Sequence, residues 1–244
     1  MKKILISAAI ASTLFGATTI ELTCDKGYKP YSYKEGKDAK GVYVDVIKSA
    51  FAKMPDYDVK FKPLAWKKVQ SLVKSGKSVG FFPPYYNKKR TAWTKFSEPI
   101  LGETIVVFAL AKTLETKKNF PEDYKGLTLC MNRGFQAVNF GNATFLKMVE
   151  NKEIKIKRGN DNKVCLRQVA KKKADFYLND QLIDTKEFPD IKRGVATKNN
   201  DGFIGFTLKT KNYPYMEDLQ TKFNKTIKDM KASGEIDKIL KTYK

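Results

Sequence analysis

The chain has 244 residues, 47 Lys and Arg against 26 Asp and Glu, a formal net charge of +21 and no histidine. That length suits one large domain or two lobes of about 100 residues each, and 16 Phe with 12 Tyr are enough to build cores. The missing histidine removes the usual zinc ligand and the usual general base, and the lysines are dispersed rather than gathered in a stripe interleaved with aromatics, which argues against a nucleic-acid partner. No metal and no cofactor are expected.

Lys2 and Lys3, followed by an apolar run from Ile4 to about Ala17, read as a secretory signal peptide over residues 1–17. The run is short for a membrane span, which takes about 20 apolar residues; a buried N-terminal strand or helix is the alternative. Glu21-Leu22-Thr23 before Cys24 is a poor context for lipid attachment, so the expectation is a soluble exported protein.

A strand at 20–24 leads into a loop at 25–37. Gly41 precedes a helix with Val46, Ile47, Ala50, Phe51 and Met54 on one face. Residues 57–61 form a second strand, and an amphipathic helix around Trp66, Val69, Leu72 and Val73 ends at Gly76. An apolar strand at 79–82 follows. This β-α-β-α-β alternation predicts a parallel sheet with helices on both faces. Next come a Pro-Pro-Tyr-Tyr loop, Arg90 on a helical turn, and Phe96-Ser97-Glu98-Pro99.

Beyond Pro99, residues 104–111 are a long apolar, β-branched strand, and 112–124 a polar link. A second alternating set follows: strand 127–131, a helix from Gly134 to about Asn151, strand 154–157, helix 162–173 and strand 175–178. Two such sets suggest two similar lobes. A strand at 203–208, a helix with Leu219, Phe223, Ile227 and Met230 on one face closed by Gly234, and a short helix carrying Ile236, Ile239, Leu240 and Tyr243 complete the chain.

The run from Leu64 to Ile100, with Trp66, Gly76, Arg90 and Phe96-Ser97-Glu98-Pro99 in order, resembles a block of the family 3 bacterial extracytoplasmic solute-binding proteins, which include the polar amino-acid binders. The ending SGEIDKILKTYK resembles the family's usual C-terminus, so the likeness spans nearly the whole mature chain. It implies an α/β, two-lobed periplasmic binding protein of type II, each lobe a mixed, mostly parallel sheet flanked by helices, with the ligand cleft between the lobes. Lobe 1 would be 18–103 plus 203–244 and lobe 2 would be 104–202, with hinge crossings near 102–105 and 196–202. The implied role is a monomeric, non-enzymatic periplasmic protein. It would deliver a small carboxylate-containing solute, an amino acid or a related compound, to an inner-membrane permease of the ATP-binding cassette class.

Two such lobes place a cleft at the carboxyl ends of the strands, where helix N-termini point inward. By resemblance Arg90 grips the ligand carboxylate through two parallel bonds; on the residues alone a surface side chain of Lys88-Lys89-Arg90 is the better reading. Gly134-Phe135-Gln136 stands where the family's backbone amides, at a helix start, receive the carboxylate, with Arg133 as a second anion contact. Asp180, in ADFYLND, stands where the family places the Asp that pairs with a ligand amino group. Tyr28 matches the first-loop aromatic that covers the ligand, Asp25 precedes it at the spacing of a side-chain amine contact, and Trp66 either walls the cleft or belongs to the core.

The departures matter. Amino-acid binders usually carry Ser or Thr in the loop before the Arg, but here the loop is Phe82-Pro83-Pro84-Tyr85-Tyr86, and the prolines offer no amide hydrogen. Ser78 replaces a residue that is often acidic. The grip on an ordinary α-amino acid is therefore incomplete, while Tyr28, Trp66, Tyr85 and Tyr86 suit a ligand with an apolar or planar portion.

Family members carry cysteines at the places of Cys130 and Cys165, so the resemblance implies that disulfide, with Cys24 free and buried in the first strand; three buried thiols are the alternative. Two other functions stay open. A module that signals to a membrane receptor shares the pattern, and an enzyme on this fold would need an acid or base such as Glu98, Glu103 or Asp180 beside a Lys, although no spacing marks such a pair.

Overall fold

A computed structural model describes residues 16–243. The expected leader, apart from Gly16 and Ala17, lies outside the described residues. Two five-stranded sheets carry the architecture.

The first sheet has the order Tyr57–Leu64, Thr18–Asp25, Gly80–Phe82, Gly205–Thr207, Thr94–Phe96. Thr18–Asp25 runs parallel to both of its neighbours, whereas Gly205–Thr207 runs antiparallel to both of its own. The sheet is thus mixed, where the β-α-β-α-β pattern alone predicts a parallel one. The difference arises because a strand from the far end of the chain returns to pair with Gly80–Phe82. Helix Val42–Phe51 buries Val42, Val46, Ile47, Ala50 and Phe51, and helix Met216–Ala232 buries Leu219, Phe223, Ile227 and Met230. Phe51 and Phe223 meet with ring centroids 6.0 Å apart. The period-3.6 apolar stripes of the sequence are therefore the buried faces.

The second sheet has the order Lys155–Gly159, Thr128–Asn132, Phe176–Asp180, Leu101–Leu110, Ile191–Gly202. Its first three strands are parallel, and Leu101–Leu110 is antiparallel to both flanking strands. Leu101–Leu110 and Ile191–Gly202 pair from Ile191↔Leu110 to Gly202↔Leu101, so the two segments that run between the sheets form one ribbon. A small antiparallel sheet, Gly27–Tyr28, Ser32–Glu35 and Asp38–Lys40, holds the loop after the first strand.

The sequence reads a helix from Gly134 to about Asn151, but the α-helix is Ala143–Glu150. The Asn142 side chain accepts from the Phe145 amide at 2.9 Å and sets its start. Upstream, Gly134 turns the chain at φ +87°, and Gln136 is extended before a 3-10 turn at Ala137–Asn139.

Cys130 and Cys165 are bonded, tying strand Thr128–Asn132 to helix Asn162–Ala170 across 35 residues of chain. Cys24 is free and buried in the first strand, and burial pushes its thiol up to about 12. In the chain-entropy account a loop of 35 residues contributes about 4 kcal/mol. Cys130→Ser is therefore expected to lower the melting temperature by about 10 °C in calorimetry; a change below about 2 °C would contradict that contribution.

Candidate functional site

The parallel strands of both sheets end on the same region. Asp25 ends the Thr18–Asp25 strand, Trp66 follows Tyr57–Leu64, and Pro83 and Tyr85 follow Gly80–Phe82. From the second sheet, Phe135, Asn139 and Phe140 follow the end of Thr128–Asn132. These residues, with Tyr28 and Arg90, line a narrow cavity of about 20 Å³, the closed form of a cleft that must part to admit a solute. It is the crevice that strand polarity builds in α/β sheets.

Among the described residues Arg90 is the one cation that lines the cavity, and 2% of its surface is exposed. It sits on the turn that follows the tyrosine loop, with its amide bonded to the Asn87 carbonyl at 2.8 Å. Its Nη1 donates to the Tyr85 carbonyl at 2.8 Å, and its guanidinium lies 5.8 Å from the centre of the Trp66 ring. Nε has no acceptor, and among the described residues no carboxylate forms an ion pair with it. Burial pulls this guanidinium down to about 10, so it is charged at neutral pH. A buried cation without a counter-ion is costly unless something supplies one.

The other cavity walls are largely apolar. Trp66 packs on Phe81 at 5.4 Å and also faces the cavity, with its Nε1 buried and unpartnered, so it is both wall and core. Phe135 and Phe140 stack at 5.3 Å. Asp25 accepts the Gly27 amide at 2.9 Å, and burial raises its carboxyl to about 7, with Asp161 nearby adding to the rise. Asn139 gives its carbonyl to the Asn200 side chain of the crossing ribbon at 2.8 Å.

The expected site residues divide by place. Arg90, Tyr28, Tyr85, Trp66, Phe135 and Asp25 line the one cavity. Arg133 is exposed in an adjoining hollow that also touches Asp25, Trp66 and Phe135. Gly134 and Gln136 line another outer hollow, where Gln136 accepts from the Asn87 side chain at 2.5 Å. Gly134-Phe135-Gln136 leads into a 3-10 turn and not an α-helix, and the Phe135 amide is already bonded to the Asn132 carbonyl at 3.1 Å. The expected cradle of helix-start amides is therefore corrected to a turn, because Gly134 reverses the chain and Asn142 caps the helix later.

Asp180 is fully buried at the end of its strand and lies apart from the cavity wall. Its Oδ1 accepts the Tyr31 hydroxyl at 2.5 Å and the Leu182 amide at 2.7 Å, while Oδ2 has no partner. Tyr86, at 58% exposed, stands outside the cavity.

Pro83, Asn139 and Phe140 complete the wall and are absent from the sequence reading of the site. So is the part played by Glu103, which is 2% exposed on the first crossing strand. Tyr28 and Tyr85 both donate to its Oε2, the latter at 2.5 Å, and Tyr43 donates to Oε1 at 2.5 Å. Burial, with Asp180 close by, raises this carboxyl to about 8 against three opposing phenol bonds. The visible signal was a lone acid in the apolar strand LGETIVVFAL. Gly202, opposite Leu101, admits the Tyr43 hydroxyl, because a Cβ there would lie 1.7 Å from that oxygen. Gly202→Ala is accordingly expected to displace Tyr43 and lower the melting temperature by about 5 °C or more. An unchanged transition would contradict this packing.

The fold recurs in known structures. At 21% identity over 93% of this chain and 95% of that one, with a TM-score of 0.77, it matches a structure described in work on glutathione import in Gram-positive bacteria via GshT and the cystine importer TcyBC of Streptococcus mutans. An ancestral arginine-binding protein bound to arginine matches at 20% identity over 93% and 99% of the two chains, with a TM-score of 0.76. The ancestral amino acid-binding protein AncCDT-1, a precursor of cyclohexadienyl dehydratase, matches at 18% over 92% and 95%, with a TM-score of 0.75. No curated protein sequence matches the chain. The family model for bacterial extracellular solute-binding proteins, family 3, matches residues 20–244. With its two mixed sheets joined by a crossing ribbon and its strand-end cavity, this chain belongs to the bacterial extracellular solute-binding proteins, family 3.

Proposed function

We propose that this chain is the exported binding component of an importer of the ATP-binding cassette class, closing two lobes on a small carboxylate-bearing solute. The observation that carries the reading is Arg90, a buried guanidinium facing the cavity that no carboxylate among the described residues ion-pairs. A ligand carboxylate supplies the missing charge and accepts the free Nε–H, a charge-assisted contact of the strongest class. In this reading residues 18–103 and 203–244 form one lobe, 104–202 the other, and the ribbon pairing Gly102–Thr104 with 199–201 is the hinge. Tyr28, Trp66, Tyr85 and Phe135 close on the ligand body; Asp25 and Arg133 tune the cleft mouth, with Gly134 and Gln136 behind them. Asp180 takes a ligand amine only after Tyr31 releases it. Residues 1–17 direct export to the periplasm, the partner is an inner-membrane permease, and no chemical step is assigned. The named binding of arginine by one structural neighbour, and of amino acids by another, agrees with a carboxylate-bearing solute.

The test is a thermal-shift screen of protein stripped by unfolding and refolding, against amino acids, di- and tricarboxylates, aromatic acids and polyamines. Binding to the folded state raises the melting temperature by mass action. A carboxylate that shifts the wild type and leaves Arg90→Ala unshifted is the expected result. A solute that shifts both equally contradicts the assignment of Arg90.

A further inference from the structure

The cavity tyrosines do not offer their hydroxyls to a ligand. Tyr28 and Tyr85 form the cavity wall, yet both phenols donate to Glu103 Oε2 and their oxygens lie 2.7 Å apart. Tyr43, outside the wall, holds the other carboxyl oxygen at 2.5 Å and abuts Gly202 of the second crossing strand. Tyr28 is further fixed by stacking on Tyr31 at 4.9 Å, and Tyr85 by edge contact with Phe140 at 6.4 Å. Both rings are therefore locked with their polar tips turned toward the hinge.

What remains for a ligand is distinctive. Six wall residues, Tyr28, Trp66, Pro83, Tyr85, Phe135 and Phe140, present rings or a proline. The unpartnered buried groups at the cavity are two donors, Arg90 Nε and Trp66 Nε1. Such a cavity rewards a flat apolar body by area and ring contact, and offers a polar side chain only Asp25, which already accepts the Gly27 amide, and Asn139.

We propose that Glu103 is a positioning residue that sets the selectivity of the cleft: by engaging Tyr28 and Tyr85 it turns ring faces on the solute, which is a carboxylate carrying a planar, apolar body. This rests on the anion grip of Arg90 proposed above and narrows it from small carboxylates in general to aryl-type acids. Glu103 acts through the tyrosines and does not itself line the cavity.

Calorimetric titration of the whole stripped protein with trans-cinnamate, L-phenylalanine, L-glutamine, L-arginine and succinate tests it. The expected result is that trans-cinnamate or L-phenylalanine binds at least about tenfold tighter than each of the three polar solutes, one tenfold step being about 1.4 kcal/mol. Equal or tighter binding by a polar solute, or no binding by either aromatic acid, overturns the inference. Arg90→Ala separates the two levels. A polar solute whose binding disappears in Arg90→Ala removes the selectivity and leaves the anion grip, whereas an aromatic acid bound equally well by Arg90→Ala removes the grip.

Glu103→Gln tests the positioning at pH 8.5 and above, where the wild-type carboxyl is ionised and accepts all three phenols. Its amide donates to a phenol oxygen, and a hydroxyl hydrogen is freed to turn into the cavity. The ratio of aromatic to polar affinity is expected to fall at least about tenfold, a readout that loss of stability alone does not move. Where Glu103→Gln does not fold, Tyr43→Phe removes one bond from the same carboxyl at a residue outside the wall, and the ratio is expected to fall severalfold. An unchanged ratio in the folded variant overturns the role given to Glu103.

Discussion

Arg90→Met is expected to abolish solute binding and, at the same time, to raise the melting temperature of the ligand-free protein. The side chain is 2% exposed with Nε unsatisfied and, among the described residues, no carboxylate paired to it. Its compensation is limited to one bond to the Tyr85 carbonyl and the Trp66 ring 5.8 Å away. Methionine fills similar volume beside Trp66 without a desolvated charge, and replacing buried charge by packed apolar groups stabilises by about 1–4 kcal/mol where the charge is poorly compensated. Loss of a charge-assisted, two-bond contact to a carboxylate weakens binding by about 100-fold or more. Calorimetry gives the first quantity and titration the second. A variant that melts lower and still binds would mean that Arg90 holds the fold and not the ligand.

The second large effect is on pH. Burial raises Glu103 from 4.5 to about 8 and Asp25 from 3.8 to about 7. Glu103 faces Asp180 and the phenols of Tyr28, Tyr43 and Tyr85; Asp25 faces Asp161 and Lys26. Both carboxyls hold their protons in the folded chain at a pH where the unfolded chain has released them. Stability therefore falls as pH rises from about 4.5 and levels off above about 8. From pH 5.5 to 8.5 the two groups together remove about 5 kcal/mol as an upper figure, a drop of about 10 °C or more in melting temperature. Glu103→Gln, neutral at every pH, is expected to flatten most of this slope. A melting temperature that climbs from pH 5.5 to 8.5 would contradict the environment described for both acids.

The effect of Glu103 also shows where sequence reasoning runs out. An acid in LGETIVVFAL is visible as an anomaly, but its partners come from residues 28, 43 and 85, and only the folded chain brings those phenols together. Helices with a clean apolar face were legible: Val46, Ile47, Ala50 and Phe51 are buried as their spacing requires, as are Leu219, Phe223, Ile227 and Met230. The segment after Gly134 was not. Phe145 and Met148, three apart, are buried as a helix face requires, but Phe140, five residues before Phe145, belongs to the cavity wall ahead of the Asn142 cap. For the strand Ile191–Gly202 the sequence offers only a crossing near 196–202, because IKRGVATKNNDG has the polar composition of a loop. It is an edge strand whose pairing with Leu101–Leu110, rather than its own propensity, fixes it. At the site, Arg90, Trp66, Tyr28 and Tyr85 converge as strand polarity directs, whereas Asp180 meets Tyr31, a contact that no local pattern announces.

The central claim, a carboxylate held at Arg90 within an aromatic cavity, is read most directly through Trp66. The chain has two tryptophans, and Trp93 packs on Phe81 at 5.6 Å away from the cavity wall, so Trp93→Phe leaves Trp66 as the single indole reporter. Titrating that variant with the solute that gives the largest thermal shift is expected to change Trp66 emission saturably, at the same midpoint as calorimetry. Adding Arg90→Ala should erase the change. Saturable binding by calorimetry with Trp66 emission unmoved would place the solute elsewhere and contradict the account.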